Sequence, residues 1–271
     1  MKGCLFAFML FIGASLGTCA DLTSGVAAFE GKDYPTALQE LEPLAEQGIA
    51  PAEHYIGLML SNGWGVATDG PRAAKLIRQS AHKGFVKAQV VMGFAHITGA
   101  WLVGVEESDA ESFRWFFAAA QQGNAGAQHQ VGMRYESGWG VSQDYAEALK
   151  WYKLGAENGY AASLGKVGAM HLRGRGVPRD AAKGIALMKA AVKKGDTSIA
   201  LMLAEVYTTG EGTPQDLEQA YAWAQIATKA LWPDGARFAA QMRDEIGKAL
   251  TPSERRKAEQ LAVSWFPPPG R

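Results

Sequence analysis

Histidine is the residue type in this 271-residue chain best suited to bind a metal or move a proton near neutral pH, and the spacing of the five histidines argues against both. His54 and His129 are separated by the same interval as His96 and His171. That interval equals two units of the repeat that organises the chain, so the members of each pair stand roughly 20 Å apart if neighbouring helices lie about 10 Å apart. In that geometry no two of them close on one zinc ion. His82 precedes a helix-stopping glycine and reads as a solvated helix end.

Other chemistry is equally thin. No nucleophile and base recur at a short fixed separation, so no catalytic set is expected. The Gly-x-Gly-Val turns join two helices and lack the strand-to-helix setting of a phosphate loop. Both cysteines, Cys4 and Cys19, lie in the first twenty residues, and removal of that segment leaves no thiol for a disulfide, a nucleophile or a metal. The expectation is a non-enzymatic chain with no cofactor and no metal. Lys and Arg number 27 against 27 Asp and Glu. No basic face suited to phosphate contacts stands out, so nucleic acid is excluded as a partner, and no polybasic patch points to a membrane surface.

The residues that do recur are glycines. Gly48, Gly84, Gly123, Gly159 and Gly195 mark one phase of a period of 36 to 39 residues, and Gly31 opens the unit before them. Nine residues on stand Gly57, Gly93, Gly132, Gly168 and then Ala204; fifteen on stand Gly63, Gly99, Gly138, Gly174 and Gly210. Each unit is therefore a stacking element and not a fold of its own.

Local physics turns the period into helices. Asp69, Ser108, Asp144, Asp180 and Asp216 follow the Gly-rich turns, where a side-chain oxygen caps the first turn of a helix for about 1 kcal/mol. Ser108 with Glu111, and Asp144 with Glu147, have capping-box spacing. The glycine fifteen residues into the unit stops the first helix. Along the second helix Leu76, Trp115, Trp151, Leu187 and Trp223 hold one inward place, and Ala81, Ala120, Ala156 and Val192 another. A mid-helix glycine costs roughly 1 kcal/mol of helix propensity, which implies a bulky partner-helix side chain needing the space. Each unit reads as helix, Gly-rich turn, helix, glycine stop: an all-α chain.

The pattern Val131-Gly132-Met133-Arg134-Tyr135, then Gly138-x-Gly140-Val141-x-x-Asp144, then Ala148-x-x-Trp151-Tyr152-x-x-x-Ala156-x-x-Gly159, resembles the Sel1-like repeat. The likeness is fullest over 124–159 and extends over 49–231. Departures are His96 and His171 in place of the usual Tyr, Leu231 in place of the stop glycine, and three extra residues in the turn from Gly99 to Val105. The resemblance implies a right-handed α-solenoid related to tetratricopeptide repeats and serving as a protein-binding scaffold. A hydrolase acting on cell-wall or β-lactam-like substrates, an activity attached to some relatives, is the rival it brings.

The ends complete the organisation. Lys2, the apolar run from Cys4 to Leu16 and the small residues Thr18-Cys19-Ala20 read as a secretory signal at 1–20, cleaved after Ala20. The run falls short of the roughly 18 residues of a membrane span. Lipidation at Cys19 is the alternative, though Thr18 before the Cys fits it poorly. Residues 21–48 form an N-terminal capping half-repeat with a short Leu22 to Glu30 helix, 49–231 hold five repeats, and 232–271 form a C-terminal capping helix pair with a Pro-rich tail. Thr251-Pro-Ser-Glu254 is a capping box opening the last helix, through Trp265. The expected location is the periplasm or the outside of the cell.

By the tetratricopeptide likeness, first helices line a concave groove. The lining phases yield His54 and Leu58, then Val90 and Phe94, then His129, Met133 and Glu136, then Leu172 and Arg173, then Glu205. An apolar strip through Leu58, Phe94 and Met133 suits an extended peptide or a helix. Trp64, Trp101 and Trp139 in the turns are a second candidate surface, either interface anchors or packing onto a neighbouring repeat. The function that follows is a monomeric adaptor binding a protein or peptide, in the envelope or, as a further alternative, on a host protein after export.

Overall fold

The computed structural model describes residues 21–99, 102–229 and 233–266. Residues 1–20, where a secretory signal is expected, Trp101 and the Pro-rich end lie outside the described residues. Fourteen α-helices and one 3-10 turn, and no strand, make up the described structure: α1 Leu22–Glu30, α2 Tyr34–Glu46, α3 Ala50–Asn62, α4 Gly70–His82, α5 Val86–Thr98, α6 Asp109–Gln121, α7 Ala125–Ser137, α8 Tyr145–Glu157, α9 Ala161–Arg173, α10 Ala181–Lys193, α11 Ala200–Thr209, α12 Leu217–Ala227, α13 Pro233–Lys248 and α14 Pro252–Trp265, with Thr197–Ile199 as the 3-10 turn.

The described chain divides into two compact units. One comprises 21–85 with 102–104, and the other the remainder from 86. In the first, α1 packs on α2, α2 on α3 and α3 on α4, around Leu41, Ile56, Met59 and Ala73. In the second, consecutive helices from α5 to α12 pack in turn, and both α13 and α14 close on α12. Trp223 stacks on Trp265 at 4.6 Å, tying the last helix to the last repeat.

Caps form where the spacing places them. Asp69, Ser108, Asp144, Asp180 and Asp216 each accept a first-turn amide hydrogen. The reciprocal capping-box bond forms at Thr251 and Glu254. At the two other expected boxes, Glu111 and Glu147 pair with Arg114 and Lys150 three residues on.

Glycines serve two distinct physical needs. At Gly159 φ is +90° and nothing lies within 4 Å of a would-be Cβ, so the requirement is backbone conformation alone. Inside helices the requirement is room. A Cβ on Gly132 would stand 2.7 Å from the Tyr152 ring, and one on Gly93 would stand 2.8 Å from Phe116. Gly57 makes the same room for Ile77, and Gly168 for Met188 and the carbonyl of Gly184.

A polar bridge also repeats, which the sequence pattern did not reveal. The residue before a stop glycine reaches back to the start of its repeat: Lys83 to Glu53 at 2.6 Å, Gln122 to Gln89 at 2.8 Å, and Asn158 to Gln128 at 2.9 Å. Glu53, Gln89 and Gln128 are all buried, so each bridge satisfies a group that would otherwise lose water without compensation.

Candidate functional site

Phase alone put ten residues on one first-helix surface, and the structure divides them. Phe94 is 44% exposed, and Arg173 and Glu205 are exposed. Leu58, Val90, Met133 and Glu136 are partly buried. His54, His129 and Leu172 are buried, which corrects the expectation that they line a groove. His54 sits edge-on to Phe85 and Tyr55. Leu172 faces the place where Gly168 and Gly184 draw α9 and α10 into backbone contact, its N 2.6 Å from a would-be Cβ on Gly184.

His129 shares a hydrogen bond with the Ser163 hydroxyl at 3.1 Å and packs between the rings of Tyr152 and Tyr160. Burial, then the positive charge of Lys166, lowers its pKa to about 4 against an opposing pull from Glu136. It is a neutral core histidine. Ser163 and Lys166 have the Ser-x-x-Lys spacing of some serine hydrolases, a feature the sequence reading did not single out. Ser163 is 0% exposed, its hydroxyl is held on His129, and Lys166 is turned to Glu136.

Phe94 rests on an unusual base. Its ring is edge-on to buried Phe116, and the Arg134 guanidinium lies 4.7 Å from the centroid of Phe116. Arg134 is buried and donates to the Ser112 hydroxyl at 2.6 Å, which in turn donates to the Gly93 carbonyl. Burial lowers the Arg134 pKa, offset in part by the charge of Asp109. One turn beyond Phe94, Ile97 is 37% exposed and widens the apolar patch. Its signal was available, because Ile97 has the phase of Glu136 and Leu172 in their helices.

A charged cluster gathers on Glu136 of the neighbouring repeat's first helix. Glu136 accepts from the Tyr152 hydroxyl at 2.6 Å and from Lys166 at 3.0 Å, with Arg175 at 3.7 Å. Burial would raise the Glu136 carboxyl, but the Tyr152 hydrogen bond and the two cations outweigh it and hold it below the usual range. Burial and the same bond push the Tyr152 hydroxyl up.

Of the turn tryptophans, Trp64 is 37% exposed and stacks on Tyr34, while Trp139 is 48% exposed. Among the described residues no group of three or more His, Cys, Asp or Glu could hold a metal ion. No described helix is long and apolar enough to cross a membrane.

The family model described as Sel1 repeat matches residues 50–85, 86–124, 125–160, 161–196 and 200–230. Among solved structures, the chain is similar to c5321, described as a protective antigen present in uropathogenic Escherichia coli strains displaying an SLR fold, at 26% identity and a TM-score of 0.78 over 90% of this chain and 52% of that one. It thus spans about half the length of that protein. It is also similar to a Sel1 repeat protein from Oxalobacter formigenes at 26% identity and a TM-score of 0.72, over 90% of this chain and 99% of the other. No curated protein matches the chain.

Proposed function

Because the chain belongs to the Sel1 repeat family, whose members typically act as protein–protein interaction scaffolds, we propose that it is a non-enzymatic adaptor, secreted or periplasmic, that binds a protein segment on the first-helix face around Phe94. The observation that carries this reading is the pairing of exposure with rigidity at Phe94. An aromatic ring that is open to solvent yet backed by Phe116 and Arg134 loses little freedom on binding, which favours affinity. Ile97 extends the patch, and the Glu136, Lys166 and Arg175 cluster supplies a polar margin. Export rests on the basic, apolar and small-residue pattern of residues 1–20.

A second reading, an exported factor that meets a host protein, is favoured by the likeness to a protein described as a protective antigen. What weighs against a hydrolase is the burial of Ser163.

Photocrosslinking in the producing cell tests the adaptor. A benzophenone side chain at position 94 should yield a discrete protein adduct that the same group at exposed Ala182 does not yield. Equal labelling at both positions, or none at 94, removes this face from consideration. The mass of the mature protein reports the cut after Ala20 in the same material.

A further inference from the structure

Trp64, Trp139 and Arg175 occupy one place in three repeats, the middle of a Gly-x-Gly turn. The second glycine of each turn packs on the first residue of the second helix one repeat earlier: Gly65 on Tyr34, Gly140 on Asp109, Gly176 on Tyr145. Where that residue is aromatic, the middle residue lies on it. Trp64 stacks on Tyr34 with centroids 5.6 Å apart and planes 14° apart, and the Arg175 guanidinium stands 5.6 Å over the Tyr145 ring. Asp109 offers no ring. Trp139 is left 48% exposed, with no ring or cation over it among the described residues.

The neighbourhood of that indole has a sign. Asp109 is exposed, and its carboxylate makes no hydrogen bond or ion pair among the described residues. Buried Arg134 feels its charge but donates to Ser112 and Gln130 instead. Exposed Glu106 and Glu107 lie just upstream, while Arg114 is occupied by Glu111.

We infer that Trp139 and Asp109 form a docking point for an arginine of a partner protein, its guanidinium flat on the indole and its N–H groups donating to the Asp109 carboxylate. Arg175 on Tyr145 shows that a guanidinium fits over a ring at this phase. A planar guanidinium stacks and bonds a carboxylate at once. An apolar side chain would cover Asp109 without giving it a donor. The inference does not rest on the Phe94 face and stands or falls without it.

Selection of phage-displayed random dodecapeptides on the immobilised chain from residue 21, counter-selected on Trp139→Ala, tests the inference. Peptides retained by the wild type and lost on Trp139→Ala should be enriched in arginine. Their synthetic forms should bind at least tenfold more weakly when citrulline, the neutral isostere, replaces that arginine, and at least threefold more weakly to Asp109→Asn. Enrichment of apolar or acidic residues, indifference to citrulline, or no peptide that distinguishes Trp139→Ala overturns it. Circular dichroism should be unchanged in both variants, since both side chains are exposed. Peptides lost on Phe94→Asp but kept on Trp139→Ala report on the other face.

Discussion

Phe94 stands edge-on to Phe116, with ring centroids 4.9 Å apart and planes at 84°. One ring is open to solvent and the other is buried, so the two phenylalanines have opposite consequences when replaced. Phe94→Asp should abolish partner capture and leave the helical circular dichroism and Tm close to wild type. Phe116→Ala should cost about 3–5 kcal/mol, as expected for a buried aromatic. Arg134→Met should be tolerated, because an apolar residue of similar length removes a buried charge that no carboxylate bonds directly. Capture assays with thermal melts on the three variants check this; a Phe94→Asp protein that unfolds as readily as Phe116→Ala contradicts it.

Gly132 and Gly159 should fail for different reasons. Gly132→Ala pushes a methyl group into Tyr152, and a Tyr152→Ala change should recover part of the loss. Gly159→Ala suffers from a left-handed backbone costing about 1–2 kcal/mol, and no neighbour lies close enough for a second change to relieve it. A double-mutant cycle by urea unfolding distinguishes them, and additivity at the Gly132 pair would refute the packing account.

His129 should make stability fall with acid. Its folded pKa of about 4 lies below the unfolded value of 6.5. Above pH 6.5 both states are neutral and it contributes no slope. As pH falls from 6.5 towards 4, the unfolded chain takes up a proton that the folded chain refuses, at a cost reaching about 3 kcal/mol near pH 4. Buried His171 is lowered by burial and adds slope of the same sign. Glu136, whose carboxyl is held below the usual range, adds its loss only as pH drops through the ordinary carboxylate range. Urea unfolding at pH 7 and pH 5 should show a smaller difference for His129→Gln than for wild type; an unchanged difference would exclude His129 as a source.

Replacing the Lys83 and Glu53 pair by two glutamines should change stability by less than about 1 kcal/mol, within the range of a partly exposed ion pair. The chain already uses Gln122 with Gln89 at the same phase. Glu53→Ala alone should cost more, since it leaves a cavity in a buried place. Thermal melts of the two variants check the order, and the reverse order would show that the charge matters more than the bridge.

Much of the fold was legible because short-range physics writes it locally. Leu22–Glu30 and the Thr251 box could be read from a cap and a stop, and both stand where the pattern put them. The demand for room beside Gly93 and Gly132 was legible too, as a helix penalty needing a reason. The surface was harder. His54 and His129 have the phase of Val90, and Leu172 has that of Glu136, yet all three are buried where Val90 and Glu136 are only partly so.

The period of the glycines, acids and aromatics determined by itself where helices begin and end and which faces pack, because caps, left-handed stops and 3.6-residue faces involve residues close along the chain. Only the tertiary structure decided that Ser163 is closed off, that a buried Arg134 backs the ring supporting Phe94, and that Gly140 packs on Asp109 where Gly65 packs on Tyr34, so that Trp64 finds a ring and, among the described residues, Trp139 does not. Those outcomes depend on how closely neighbouring helices approach and on which side chain one repeat presents to the next, distances that a repeating pattern leaves open.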